Sequence, residues 1–441
     1  MIDVNPLVIL LVMFGSLVGL LLAGMPVLLA MGSIGVLVAL IFLKSEFLTS
    51  LVAGNAFDIM SFYSLIAIPL FVFMSSVLEL SGIGEDMFHC FRLWLDRVPG
   101  GLAVAVIGVS VLIAAMSGVV ASGIVILGII AVPIMLKFGY SKEMAIGPVL
   151  AGACLASLIP PSMAFIVYGS LAQVSVGQLF VGGIIPGIIL ASLFALYIII
   201  RCYLNPNIAP RLAPEERAGW RVKFASLRGL ILPFCLIAAV LGAIFLGVAS
   251  PTESASIGAV GALACAAVKH NLRWGDVRQT LIRTLNISGM VLWVFIGAYC
   301  FKGVFVISGG PQLVTDWVSG LGLGPTAVVG IMQISFIIMG CFVQEIVIQL
   351  ISLPVFFPLL DYFGLSRLWF GVLFLTNIQM SYLTPPFGFA LFYMRGIAPE
   401  GVSMRDIIRS ILPFLPLQAI TVLIVMFFPE VALWLPSLML R

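Results

Sequence analysis

Gly, Pro and Ser residues recur in this sequence at a fixed interval of 225 positions. Pro26 answers to Pro251, Pro133 to Pro358, Gly139 to Gly364, Ser141 to Ser366, Pro160-Pro161 to Pro385-Pro386 and Tyr168 to Tyr393. The stretch from Pro133 to Tyr168 aligns with its counterpart without a gap. Because the matches fall on residues with special backbone behaviour rather than on interchangeable aliphatics, the chain reads as two copies of one unit, 1–200 and 230–441. The polar segment 201–229 links them, and the positive-inside argument below makes that linker cytoplasmic.

Composition decides the solvent. With 62% hydrophobic and 9% charged residues in 441, the chain exceeds what a water-soluble surface tolerates. No Asp, Glu, Lys or Arg occurs between Gly101 and Leu136, or between Met144 and Ile200. Such runs make several helices in hydrocarbon, each needing about 20 apolar residues, and lack the short alternating segments of a β-barrel. The N-terminus, without a basic leader, reads as the first membrane helix rather than a cleaved signal. The net charge of +3 comes from scattered basic residues, so no nucleic-acid partner is expected. The seven cysteines have no metal-ligand spacing, only two histidines are present, and no phosphate loop appears, which argues against zinc, haem and ATP chemistry. The lack of a His, Cys or paired-acid constellation argues against an enzyme.

In chain order, spans are expected at 7–23, 26–43 and 61–80, with a polar connection at 44–58 and an amphipathic surface helix within 82–100. Residues 102–136 are long enough to cross but are interrupted at Ser117-Gly118 and Ser122-Gly123, which reads as a re-entrant hairpin. Residues 144–170 cross with a break at Ile159-Pro160-Pro161-Ser162, where two prolines remove two backbone donors. A span over 180–200 closes the unit. The second copy repeats this, with spans at 230–248 and 251–268, a basic connection, a span at 287–307, a hairpin at 326–360, a broken helix at 369–394 and a last span at 411–428.

The expected fold is therefore an all-α polytopic membrane protein of two inverted repeats, each with five spanning helices, one of them discontinuous, plus one re-entrant hairpin. An odd number of crossings inverts the second copy. The charges agree, since with a cytoplasmic linker 17 of the 21 basic residues fall on one side and only Lys44, Lys302, Arg367 and Arg441 do not. Both termini should then face outward. Interrupted helices meeting near mid-membrane offer free carbonyls to a cation and positive helix ends to an anion, as in secondary transporters.

Several stretches also resemble the large membrane subunit of tripartite ATP-independent periplasmic (TRAP) transporters. They are SLIAIPLFVF (64–73), the MSG of the first hairpin, KFGYS, LIPPSMAFIVYG, SVGQLFVGGIIPG (175–187), SPTESA (250–255) and YLTPPFGFALFY. The resemblance implies an elevator-type subunit of the bacterial inner membrane driven by Na⁺. It implies two partners, a small four-helix membrane subunit and a periplasmic binding protein that delivers a small carboxylate-bearing solute. Where the family pattern carries acids, this chain has Ser122, Gln344 followed by Glu345, and Gln379. The residues alone leave open a self-sufficient ion-coupled carboxylate transporter of the same architecture.

The candidate cation ligands are Ser117 and Gly118 with the carbonyls of Ile159 and Pro160 and the hydroxyl of Ser162, all oxygen donors that suit a hard cation. By repeat symmetry Gly340, Cys341, Asn377 and Thr384 form a second set. Glu345 is the only charged residue between Asp316 and Asp361, and a carboxylate at that depth costs about 2.5–3.5 kcal/mol on insertion scales. Gln344, Glu345, Ser122, Gln379 and Tyr382 are the candidate substrate contacts. Each of these residues also has a plain structural reading, close packing at a hairpin tip or satisfaction of broken-helix backbone.

Overall fold

The computed structural model describes residues 5–42, 50–210, 218–269, 273–385 and 388–439. Lys44, Arg211, Glu215, Glu216, Arg217, His270, Pro386 and Arg441 lie outside the described residues. No strand occurs among the described residues.

Helix α1 (Pro6–Leu22) turns at Gly24 into α2 (Val27–Phe42). The short α3 (Asn55–Met60) and a 3-10 turn (Tyr63–Ile66) lead into α4 (Ala67–Leu80), and α5 (Ile83–Trp94) follows a left-handed Gly82. Next come α6 (Gly101–Ser117), α7 (Val120–Lys137), α8 (Lys142–Cys154), α9 (Met163–Ala172) and α10 (Val176–Leu204). After α11 (Trp220–Ser226) the order recurs as α12 (Arg228–Phe245), α13 (Pro251–Val268), α14 (Trp274–Ile307) and α15 (Gly310–Gly320). It continues as α16 (Pro325–Gly340), α17 (Glu345–Tyr362), α18 (Arg367–Leu383), α19 (Phe389–Ile397), α20 (Met404–Ile411), α21 (Leu415–Phe427) and α22 (Glu430–Ser437). Moved by 225 positions, α7 falls on α17 end for end, and α5 falls on α15 to within two residues.

The shared motif explains the shared geometry. Gly139 and Gly364 take φ of 78° and 64°, which closes the preceding helix in a Schellman turn, with Tyr140 N–H on Met135 O and Leu365 N–H on Leu360 O, 3.0 and 2.8 Å. Two residues on, Ser141 and Ser366 start the next helix, each side chain accepting a backbone N–H three residues ahead at 3.3 Å. A helix stop and a helix start thus fit into five residues, in both copies.

Eight of the described helices are long and apolar enough to cross a membrane. In lipid, apolar surface gives helices no drive to associate, so close packing through small residues matters more. Helix α2 meets α14 this way: a Cβ on Gly32 would touch the Cα of Gly297 at 3.5 Å, and one on Gly35 would strike the backbone of Cys300 at 2.8 Å. The reciprocal pair is α4 on α13. In the same crossed manner α9 packs on α17 and its counterpart α19 packs on α7.

Several boundaries differ from the sequence expectation. The segment expected as a polar connection at 44–58 contains the helical residues Asn55–Met60. Helix α14 runs unbroken for 34 residues from Trp274, so Arg278 and Arg283 stand on a helix rather than in a loop. Helix α15 was not anticipated at all, although it sits at the repeat position of α5. The last span is two helices, α20 and α21. Part of the linker is also ordered: α11 docks on α5, where Trp94 Nε1 donates to the Lys223 carbonyl at 3.1 Å and Lys223 Nζ pairs with Asp96 at 2.8 Å. Trp94 packs edge-on against Trp220 and Phe224.

Candidate functional site

The first hairpin tip is a left-handed glycine. Helix α6 ends at Ser117, Gly118 takes φ 62°, and α7 resumes at Val120. The tip presses on the break between α8 and α9, because a Cβ on Gly118 would lie 2.1 Å from the Pro161 carbonyl oxygen. Only glycine fits that approach, by conformation and by space. Ser117 is buried, and its hydroxyl accepts the Val119 N–H at 3.4 Å.

At the break itself, α8 tightens into a 3-10 turn (Leu155–Ser157), and the Pro160-Pro161 peptide, which is cis, supplies no donor. Ile159, Pro160 and Ser162 are buried. The Ser162 hydroxyl donates to the Ser157 carbonyl at 2.7 Å, leaving its lone pairs free. Helix α10 covers the far side, where a Cβ on Gly183 would meet the Leu158 oxygen at 2.3 Å. Ser117, Gly118 and the break residues are therefore brought together, with carbonyl and hydroxyl oxygens and no acid among them.

The second copy repeats the contact with different side chains. Helix α16 ends at Gly340, whose missing Cβ would lie 1.9 Å from Ser381 Oγ on α18. Asn377 is fully buried and its Nδ2 donates at 2.8 Å to both the Gln333 carbonyl and the Gln333 Oε1, tying hairpin to broken helix. Asn377 Oδ1 has no partner among the described residues. Thr384 is extended, φ −88° and ψ 121°, and its hydroxyl donates to Met380 O at 2.6 Å. Cys341 donates its thiol to Ile337 O at 3.2 Å. Among the described residues no cluster of three or more His, Cys, Asp or Glu side chains exists. The donors at both tips are those preferred by a hard cation rather than a soft metal.

The candidate substrate contacts divide. Gln379 and Tyr382 on α18 are fully buried or nearly so, and both amide atoms of Gln379 and the Tyr382 hydroxyl lack partners among the described residues. Gln344 caps α17 with its carbonyl and leaves its side chain exposed. Glu345, next to it, has one carboxylate oxygen sealed from solvent. Ser122 turns the other way, to Ser75 Oγ at 3.2 Å and Glu79 Oε2 at 3.4 Å on α4, and Glu79 is held by Arg283 of α14 at 2.9 Å.

Residues 14–431 match the family described as Tripartite ATP-independent periplasmic transporter, DctM component. The chain belongs to that family. It is 30% identical over 388 residues to the C4-dicarboxylate TRAP transporter large permease protein DctM of Pseudomonas aeruginosa, covering 87% of this chain and 89% of that one. To the ectoine TRAP transporter large permease protein TeaC of Halomonas elongata it is 27% identical over 436 residues, covering 98% and 99%. Its fold is similar to that of the Alcanivorax borkumensis YdaH transporter, with a TM-score of 0.66 at 17% identity over 88% of this chain and 90% of that one.

This TRAP permease holds further polar groups that sequence reasoning passed over. Gln333, Gln349 and Gln418 are buried inside apolar helices, and each leaves at least one amide atom without a partner among the described residues. Their polarity within apolar runs at 325–340, 345–362 and 415–427 is the signal that could have found them. Arg395 donates to the Val402 carbonyl just beyond its own helix.

Proposed function

We propose that this permease subunit imports a small carboxylate-bearing solute against its gradient by symport with Na⁺. The solute is received from a periplasmic binding protein, and a small four-helix membrane subunit completes the assembly in the bacterial inner membrane, with both termini of this chain periplasmic. The observation that carries the reading is the paired tip-to-break contact, Gly118 on Pro161 and Gly340 on Ser381. Each packs a hairpin end against an interrupted helix, so backbone oxygens that a continuous helix would consume are buried and left for a cation.

The crossed contacts support an inverted pair. When α2 packs on α14 and α13 on α4, each element of one copy meets the other copy's version of its partner, which is the signature of a two-fold relation. An odd number of crossings per copy lays that axis in the membrane plane, and the two breaks then alternate in facing either side. Helices α2, α4, α13 and α14 form the fixed frame, and the hairpins with the broken helices move as an elevator. The cargoes named for the relatives, a C4-dicarboxylate and ectoine, both carry a carboxylate, which the positive N-terminal ends of α9 and α19 would hold.

The test is uptake into proteoliposomes that hold this chain with a small four-helix TRAP subunit, given a radiolabelled C4-dicarboxylate and a TRAP periplasmic binding protein that binds it. Uptake should require an inward Na⁺ gradient and both partners. Transport that persists with all ion gradients collapsed would refute the coupling, and transport by this chain alone would refute the dependence on partners.

A further inference from the structure

The two tips leave one polar stripe unexplained. Glu345 and Gln349 stand one helical turn apart on α17 and so share a face. That face is turned to the other copy: α17 packs on α9, and Gln349 Nε2 donates to the Ala164 carbonyl in the first turn of α9 at 3.3 Å. Since the amide nitrogen takes the carbonyl, Gln349 presents its oxygen elsewhere, and Oε1 is buried without a partner among the described residues. Glu345 Oε2 is in the same position.

Two buried oxygens of this kind, one of them on a carboxyl group, are acceptors left without a donor or cation. Gln349 is wholly inaccessible to solvent, so it cannot be satisfied by bulk water. Glu345 opens α17, and a carboxyl group buried there is satisfied by taking up either a proton or a cation. An ionised carboxylate in such surroundings must be paired. Among the described residues no Lys or Arg forms an ion pair with it. The corresponding first-copy positions are Val120 and Ile124, so repeat symmetry offers no matching pair.

We infer that Glu345 and Gln349, facing the first copy's broken helix, form a binding site for one small monovalent cation, Na⁺ or a proton, separate from the cages at Gly118 and Gly340. Glu345 supplies the charge, Gln349 a neutral oxygen, and its bond to Ala164 holds the second hairpin against the first copy while the ion is bound. The inference extends the ion-coupled reading but does not need transport to be tested.

Equilibrium binding of ²²Na⁺ to the purified full-length chain in nanodiscs, with protons released or taken up counted at mildly alkaline and mildly acidic pH, decides it. Glu345→Gln and Gln349→Met are each expected to lose one cation equivalent relative to the unsubstituted chain while keeping its gel-filtration profile. If the loss is in sodium, the ion is Na⁺; if sodium is unchanged and one proton equivalent disappears, the ion is H⁺. Glu345→Asp, which keeps the charge, should retain the equivalent at weaker affinity. Folded variants that bind the full number of both ions would overturn the proposal. Ser117→Ala separates the two readings: sodium lost there while Glu345→Gln and Gln349→Met keep the full count of both sodium and protons overturns this site alone, and no loss of either ion in any of the three overturns both.

Discussion

Gly118→Ala tests whether the first tip is a cage or merely a turn, and the structure contains its own control. Gly118 and Gly364 have nearly the same backbone, φ 62° and 64°, so a side chain at either position bears the same left-handed cost, about 1–2 kcal/mol. They differ in space. A Cβ on Gly364 meets nothing within 4 Å, whereas one on Gly118 lies 2.1 Å from the Pro161 oxygen. Restoring an ordinary contact beyond 3.0 Å moves that carbonyl by roughly 0.9 Å, several times the tolerance of about 0.2 Å on a metal–ligand distance. Losing one oxygen contact to a charged group costs about 1.5–3 kcal/mol. At 1.4 kcal/mol per decade, that is roughly a 10- to 100-fold rise in the Na⁺ concentration for half-maximal uptake. Gly364→Ala should lower thermal stability by a comparable backbone amount and leave the Na⁺ dependence where it was. Both variants are measured by Na⁺-titrated uptake in proteoliposomes and by thermal unfolding. Equal Na⁺ curves for the two would show that the contact at Pro161 does not shape an ion site.

Gly340→Ala should impair Na⁺ activation at the second tip, and Gly340→Ala with Ser381→Gly should recover much of it, because the obstructing atoms belong to a side chain rather than to backbone. Failure of the double variant to recover in the same uptake assay would place the defect elsewhere. Asn377→Leu leaves the Gln333 amide buried and unpaired, so a loss of about 1 kcal/mol is expected in unfolding of the detergent-solubilised chain, together with weaker Na⁺ activation. Lys223→Ala strands Asp96, whose pair is 7% and 3% exposed, and is expected to cost about 3–5 kcal/mol, while the double change Lys223→Met with Asp96→Leu should fall near the unsubstituted stability. A harmless single substitution would mean that α11 is not held on α5 by that pair.

What could be read from the sequence was whatever the backbone requires. Gly118, Gly139, Pro160, Pro161 and Gly364 each force a local conformation whichever side chains surround them, and the helices stop or restart at each. Position-dependent packing was not legible in the same way. Helix α15 spans Gly310–Gly320, with a proline at its start and little charge, and nothing local distinguishes it from a loop; only its place 225 positions after α5 would have found it. Arg278 and Arg283, which made the end of 269–283 look like a loop, sit on a helix that extends N-terminal to its apolar run. Ser122 was grouped with the substrate contacts because it stands where the family pattern carries an acid, yet its hydroxyl faces α4, a choice made by Ser75 and Glu79 some 40 residues earlier in the chain.

Backbone and side chains follow the repeat to different degrees, and this has a mechanistic consequence. Two identical halves would bind identical ions at both breaks and give the cargo no preferred end. Here the helix stops and starts coincide, but the polar groups do not. The first hairpin directs Ser122 outward to an ion pair between α4 and α14, while at the equivalent stretch the second carries Glu345 and Gln349 inward against α9. The frame is thereby tied to one hairpin, and the copies are tied to each other through the other hairpin. If the hairpins move past α4 and α14 as proposed above, the Ser122 contact breaks while the Gln349 contact travels with them. A symmetric scaffold can in this way supply two access states, while its asymmetric side chains decide which contacts each state keeps.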